Sequence, residues 1–120
     1  MINEIAFTCY PVKDMIRAIA FYEKILGLKP DAPLTESSGG MWVEYSFGGG
    51  TFSLGKMDGF NPHEDGPSVA FEVDDFDATI KNLKDMNIKF KFEPMETPVC
   101  HMAMFSDTEG NPVMVHKRKA

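Results

Sequence analysis

The chain has 120 residues and a formal net charge of −6, with 43% hydrophobic and 25% charged residues. This composition suits one small domain or two half-size modules and excludes a disordered chain. The acidity disfavours nucleic acid and anionic membrane surfaces as partners, because both require clustered lysine and arginine. The basic run at Lys117–Lys119 is predicted to be a frayed tail.

The cysteine content and the first residues indicate a compartment. Cys9 and Cys100 are too few for a disulfide scaffold and lie in predicted buried strands, so we expect free thiols in a reducing environment. Met1–Tyr10 lacks the basic and long apolar regions of a signal peptide, and no segment is long enough for a transmembrane helix. We therefore expect a cytoplasmic protein.

The first half of the chain predicts a strand, a helix and further strands. Alternation over Ile2–Tyr10 predicts a strand with Phe7 and Cys9 on the same face. Asp14 is predicted to open a helix that Gly27 ends. The later extended segments are predicted at Leu28–Pro33, Met41–Phe47 and Thr51–Lys56, with turns at Ser37–Gly40 and Gly48–Gly50.

The second half repeats this order. A strand at Ser68–Val73 is followed by a helix over Phe76–Met86, which Asp74 and Asp75 cap. The remaining strands are predicted at Ile88–Phe92, Cys100–Ser106 and Pro112–Lys117, with a loop at Pro94–Pro98 and a turn at Asp107–Asn111. The repeat predicts an α+β fold of two tandem βαβββ modules with mixed sheets. Module one covers about 1–57, a linker 58–66 and module two about 67–120.

Three segments resemble the vicinal oxygen chelate superfamily, which includes glyoxalase I, extradiol dioxygenases, fosfomycin-resistance enzymes and bleomycin-resistance proteins. They are VKDMIRAIAFYEKILGL at Val12–Leu28, VAFEVDDFD at Val69–Asp77 and SDTEGNP at Ser106–Pro112. The resemblance implies a single domain in which the curved sheets of both modules form a cavity, with the helices outside. It also implies a homodimer.

The resemblance also assigns four positions where family members hold a divalent metal with His, Glu or Gln. In this chain those positions are Phe7, Ser53, Ser68 and Met114. Phenylalanine has no donor atom, hydroxyls are weak ligands, and a thioether suits soft ions. A Lewis-acid mechanism needs about three firm protein ligands. We therefore predict no metal cofactor, which argues against glyoxalase, extradiol-cleaving and fosfomycin-opening activities.

Glu72 is the first candidate for other chemistry. Alternation places it on the same face as Ser68 and Ala70, which would be the cavity face. A partly apolar cavity would raise the pKa of its carboxyl group, which would then act as a base or bind a cation. The alternative is a carboxylate at the wet end of its strand.

Two histidines near the C-terminus form the second candidate. If Ser106 pairs with Val113, then His101 shares the cavity face with Met114 and His116. A relocated metal site or a general base would follow. The alternative is a histidine that is hydrogen-bonded at the edge of the sheet.

The aromatic residues and nine methionines supply adaptable apolar surface. We expect most of these aromatic residues to fill the core or a dimer interface, with a pocket for a flat organic molecule as the alternative. Those near the expected cavity mouth are Trp42, Tyr45, Phe47 and Phe60.

These features predict a metal-free protein that binds or sequesters a small, partly apolar organic molecule. The acidity favours a neutral or cationic ligand, and nothing specifies bleomycin itself. One alternative is a lyase, dioxygenase or isomerase that uses Glu72 or His116 as its base, or a shifted metal. Another is an interaction module whose cavity is filled. The predicted ligand-binding residues are Phe7, Cys9, Ser53, Ser68, Ala70, Glu72, Met114 and His116.

Overall fold

The computed structural model describes residues 1–37 and 39–120 and divides the chain into two compact units. The first unit is Met1–Pro62 and the second is His63–Ala120. In the described residues, each unit has one strand, one helical segment and three further strands, so the predicted βαβββ repeat is confirmed. The module and linker boundaries given above stay a prediction.

The first unit begins its regular structure at a short parallel strand. Asp14 caps the helix by accepting a hydrogen bond from the Arg17 backbone N–H at 3.0 Å. The described strands form a sheet in the order β1-β4-β3-β2, in which β1 and β4 are parallel and the other pairs antiparallel. The elements are β1 (Thr8–Pro11), α1 (Met15–Ala20) with a π-helical continuation (Phe21–Ile25), β2 (Thr35–Ser37), β3 (Gly40–Phe47) and β4 (Gly50–Met57).

The second unit repeats the same topology. Asp75 caps its helix by accepting a hydrogen bond from the Ala78 backbone N–H at 3.0 Å. The described strands form a sheet in the order β5-β8-β7-β6, again with the first pair parallel and the others antiparallel. The elements are β5 (Val69–Glu72), α2 (Phe76–Asp85), β6 (Phe90–Glu96), β7 (Cys100–Ser106) and β8 (Pro112–Arg118).

Each helix covers one face of the sheet in its own unit. In the first unit, the rings of Tyr22 and Phe52 lie 5.1 Å apart, and the Tyr45 hydroxyl donates to Glu23 at 2.8 Å. Burial, with the Glu23 hydrogen bond, raises the pKa of Tyr45 well above its usual value. In the second unit, the Phe76 ring on α2 lies 5.5 Å from the His101 ring on β7. These contacts identify the helix-covered face of each sheet.

Several predicted boundaries differ from the structure. β1 spans four residues rather than nine, and residues 1–7, all of them described, form no strand. Leu28–Pro33 is not a strand, since its two prolines cannot donate ladder hydrogen bonds, and β2 forms later. β6 runs through the predicted loop at Pro94, where the register shifts on this edge strand. The predicted turn at Ser37–Gly40 includes residue 38, which lies outside the described residues.

Among residues 1–37 and 39–120, no helix combines the length and the apolar character needed to cross a bilayer.

Candidate functional site

Strand register places most of the predicted site residues, though not Phe7 and Ser68, on the sheet faces that the helices leave uncovered, here called the open faces. On the first sheet, Cys9 pairs with Ser53 and Thr8 with Phe52, so Cys9 and Ser53 point away from the helix-covered face of Phe52. The first open face consists of Phe7, Cys9, Trp42, Glu44, Ser53 and Gly55. The second open face consists of Ala70, Glu72, Met102, Met104, Met114 and His116.

The first open face holds a thiol between a hydroxyl and a carboxylate. The half-buried Cys9 lies beside the fully buried Ser53, whose hydroxyl donates to the Thr8 carbonyl oxygen at 3.4 Å. Burial raises the pKa of the Cys9 thiol, the Ser53 hydrogen bond opposes this, and the negative charge of Glu44 adds to it. Cys9 is therefore a protonated, weakly reactive thiol at neutral pH.

An aromatic corner lies on the same face. The indole N–H of Trp42 donates to Glu44 Oε2 at 2.9 Å. The rings of Trp42 and Phe7 are nearly perpendicular, at 86°, with centroids 5.2 Å apart. Phe7 precedes β1 and remains 46% exposed. The contact nevertheless places it with the other residues of the first open face.

On the second open face, Glu72 and His116 form a hydrogen-bonded pair. Parallel pairing of β5 with β8 sets them side by side, and His116 Nδ1 lies 2.6 Å from Glu72 Oε1. The Arg118 backbone N–H donates to Glu72 Oε2 at 2.7 Å. These bonds, led by that from Arg118, lower the pKa of the Glu72 carboxyl group. The predicted rise in this pKa is therefore wrong, since the strand edge supplies donors rather than an apolar pocket.

The ionised state of Glu72 determines the tautomer of its partner. A carboxylate can only accept hydrogen bonds, so Nδ1 of His116 must carry the proton that it donates. In the neutral ring, Nε2 then keeps its lone pair. The dyad thus presents a hydrogen-bond acceptor or a base on a face that is otherwise lined by methionine.

The expected sharing of one face by His101 and His116 is wrong. Ser106 pairs with Pro112 rather than with Val113, and His101 pairs with Lys117. A shift of one residue moves every side chain of a strand to the other face. His101 therefore lies on the helix-covered face against Phe76, and the two histidines do not meet.

The four metal positions implied by the resemblance do not fit a divalent ion. Phe7 has no donor, and the Ser53 hydroxyl is directed to a backbone carbonyl. Ser68, directly before β5, is an exposed hydroxyl, and Met114 on the second open face offers only a thioether. Among residues 1–37 and 39–120, no group of three or more His, Cys, Asp and Glu residues is arranged to hold a metal ion.

A separate cleft of about 470 Å³ lies in the first unit and contains none of the predicted site residues. It has mixed charge, with Lys13, Lys56, Glu36 and Asp58 around Met57 and Phe60. Its lining includes Lys56, which pairs with Met41 one position out of phase with the first open face, and Met57, which pairs with Gly40 in phase with it. The cleft therefore draws on both faces of this end of β3 and β4, and it contains neither Trp42 nor Glu44.

Three residues of the first open face are absent from the predicted site residues. Glu44 and Gly55 are two of them, and Trp42 is one of the aromatic residues for most of which the sequence favours the core or an interface, with a pocket as the alternative. The alternation of Trp42 and Glu44 with the buried Val43 and Tyr45 was the available signal, because it separates these pairs onto opposite faces. Tyr45 does fill the core, as expected.

Comparison with known proteins agrees with this architecture. TnmS3, an antibiotic-binding protein from Streptomyces sp. CB03234, is 25% identical over 98% of both chains, with a TM-score of 0.77. A glyoxylase/bleomycin resistance protein/dioxygenase domain from Frankia sp. EAN1pec is 17% identical over 99% of this chain and 100% of its own, with a TM-score of 0.78. Lactoylglutathione lyase from Agrobacterium tumefaciens is 19% identical over 98% of this chain and 95% of its own, with a TM-score of 0.72.

No functionally curated protein matches the chain in sequence. The sequence pattern of one family, described as the Glyoxalase/Bleomycin resistance protein/Dioxygenase superfamily, matches residues 2–115. The resemblance found in the three segments is thereby confirmed. The chain belongs to the glyoxalase/bleomycin resistance protein/dioxygenase superfamily.

Proposed function

We propose that this chain binds a small, partly apolar organic molecule on an open face without a divalent metal. One observation carries the proposal: the family's metal positions hold Phe7, Ser53, Ser68 and Met114, a set of side chains suited to apolar contact and weak hydrogen bonding. The likeness to TnmS3, an antibiotic-binding protein, supports binding rather than turnover. Sequestration of such a molecule in the cytoplasm by a homodimer completes the proposal.

The chemistry of the open faces favours a ligand with a flat apolar part. The first open face offers Phe7 and Trp42, while the second offers the paired thioethers of Met104 and Met114 beside the exposed Ala70. Aromatic rings supply rigid contact area, and methionine side chains adapt to irregular shapes. Glu72 and His116 would add directional hydrogen bonds.

A thermal-shift screen of neutral and cationic aromatic molecules on chelator-treated protein tests the proposal. A ligand that binds the folded state raises the melting temperature by mass action. Ala70→Phe fills part of the second open face and should weaken the shift for ligands that bind there, whereas Ala78→Phe, on an exposed position of α2, should weaken the shift for none. If no compound in the panel stabilises the parent, or only divalent ions do, the binding proposal fails.

The Glu72–His116 dyad supports a second candidate, an isomerase-type enzyme. His116 Nε2 would take a proton from a carbon next to a carbonyl group, and the electron pair would move onto the carbonyl oxygen as an enolate. Where the deprotonated carbon carries a hydroxyl group, transfer of the hydroxyl proton to the enolate oxygen and return of the abstracted proton to the former carbonyl carbon would complete the isomerisation. Incubating the protein with hydroxyacetone in D₂O tests this. Deuterium incorporation that His116→Gln abolishes would favour the enzyme, and no exchange above buffer would remove it.

A further inference from the structure

The indole ring of Trp42 lies against a position where the first sheet has no side chain. Trp42 on β3 pairs with Gly55 on β4. A Cβ atom added to Gly55 would lie 3.0 Å from Trp42 Cζ3, 3.1 Å from Cε3 and 3.0 Å from Cys9 Sγ. A methyl group here would require the indole or Cys9 to shift by a few tenths of an ångström, and glycine within a strand often marks such a close approach. The six-membered part of the indole ring therefore packs against the backbone at Gly55.

A second contact fixes the rotation of the same ring. The hydrogen bond from the indole N–H to Glu44 satisfies the one polar atom of Trp42, so its other contacts are made by the π surface and the ring edge. Phe7 stands nearly perpendicular to it at 5.2 Å. Two perpendicular rings form a corner in which a third flat ring can stack on one and meet the edge of the other.

The corner carries the negative charge of Glu44, and no cationic side chain of the described residues forms an ion pair with it. Glu44 is half-buried, and the structure gives its carboxylate a single side-chain partner, the neutral indole, within the described residues. The negative charge of Glu44 also acts on the neighbouring Cys9. It contributes to the raised pKa of the Cys9 thiol, although burial of the thiol contributes more. An ionised carboxylate beside an electron-rich indole face attracts cations through both groups.

We propose that the corner formed by Trp42, Phe7 and Glu44 is a site for flat aromatic cations, such as a fused ring that carries an amino or amidinium group. The ring stacks on Trp42, and its cationic substituent lies towards Glu44. This inference rests on the proposed binding function and names its ligand class. The overall charge of −6 adds long-range attraction for the same class of molecule.

Fluorescence of Trp42 provides a local test, because the chain contains one tryptophan. The probes are 9-aminoacridine, which is cationic, and acridine, which has the same rings and is neutral in slightly alkaline buffer. Saturable quenching should favour 9-aminoacridine by about tenfold in affinity. Cyclohexylammonium, a cation without an aromatic ring, should not quench.

Three variants separate the charge from the stacking surface. Glu44→Gln should bring the affinity for 9-aminoacridine close to that for acridine, while Gly55→Ala should weaken both by tilting the indole. Glu36→Gln removes a carboxylate from the cleft of the same unit and should leave both affinities unchanged. A loss of binding in Glu36→Gln would place the probe in the cleft and overturn the inference.

Other outcomes distinguish this inference from the proposed function. Equal affinities for acridine and 9-aminoacridine, with no effect of Glu44→Gln, would contradict the cation site while leaving small-molecule binding intact. No binding by these or any other screened compound would contradict both. If emission of the parent shifts with protein concentration and no probe quenches it, Trp42 is covered by a second copy of the chain, and the inference is wrong.

Discussion

The two open faces share one strand order, and each carries a carboxylate that is hydrogen-bonded to a ring nitrogen. On the first face, Glu44 accepts from the indole of Trp42, a ring that is fixed against the backbone at Gly55. On the second face, Glu72 accepts from the imidazole of His116 among flexible methionines. The duplicated backbone thus presents an indole that is packed against the backbone in one unit and a carboxylate–imidazole pair among methionine side chains in the other.

The turn that joins β7 and β8 in the second unit is where a single substitution should have its largest effect on stability. Asp107 is buried and accepts hydrogen bonds from the backbone N–H groups of Glu109 at 2.8 Å and Asn111 at 2.9 Å, and from the Asn111 side chain at 3.0 Å. Asp107→Ala leaves these donors unsatisfied and should lower the free energy of unfolding by about 2–4 kcal/mol in urea titrations. Asp58→Ala, at an exposed position in the first unit, is the control. A loss no larger than that of the control would show that the turn holds without Asp107.

Gly55→Ala tests the rigidity of the first open face. The new methyl group would force either the indole or Cys9 to move, at a cost of about 1–3 kcal/mol in unfolding free energy. Gly48→Ala is the matched control, because a Cβ atom there meets nothing within 4 Å. Both are measured by denaturant unfolding together with the emission maximum of Trp42. Equal stabilities and an unchanged emission spectrum would mean that the ring is not fixed by Gly55.

Glu72→Gln tests the second open face. The folded state lowers the pKa of Glu72, so its contribution to stability is fully present above the unfolded pKa and is lost as the pH falls through the folded pKa. The melting temperature of the parent should therefore exceed that of the variant modestly at neutral pH, and the gap should close in acid. The exposed Glu93→Gln is the control. If the difference in melting temperature between the parent and Glu72→Gln persists at low pH, packing rather than the charge of Glu72 causes it.

The smallest expected effect is a change in the alkylation rate of Cys9, which should rise in one variant and fall in another. Glu44→Gln removes a charge that raises the thiol pKa and should speed alkylation by iodoacetamide a few-fold. Ser53→Ala removes a hydrogen bond that lowers the pKa and should slow it. Mass spectrometry of the Cys9 peptide measures both rates at neutral pH. Changes of the same sign would indicate altered access rather than altered ionisation.

Much of the fold was predictable from the sequence because its signals are local. Asp14 and Asp75 cap their helices as expected, and the predicted bounds of β7 are the observed ones. Alternation also placed Glu72 on the same face of β5 as Ala70, where the structure has it. Neighbouring residues carry these signals, so no tertiary contact had to be known.

The parts that could not be predicted depend on pairing between distant segments. A register error of one residue between β7 and β8 assigned His101 to the wrong face. The contact of Glu72 with His116 joins residues 44 positions apart in the chain. The lowered pKa of Glu72 follows from an Arg118 backbone donor that alternation alone does not reveal.

Calorimetric titration of protein with known metal content tests whether the chain binds its ligand without a divalent metal. Tag-free protein is treated with chelator, its zinc, nickel, iron and manganese are measured, and it is titrated with a compound that raised its melting temperature. We expect saturable binding with far less than one ion per chain, unchanged when divalent ions are restored. Binding that disappears with the metal and returns with stoichiometric uptake would contradict it.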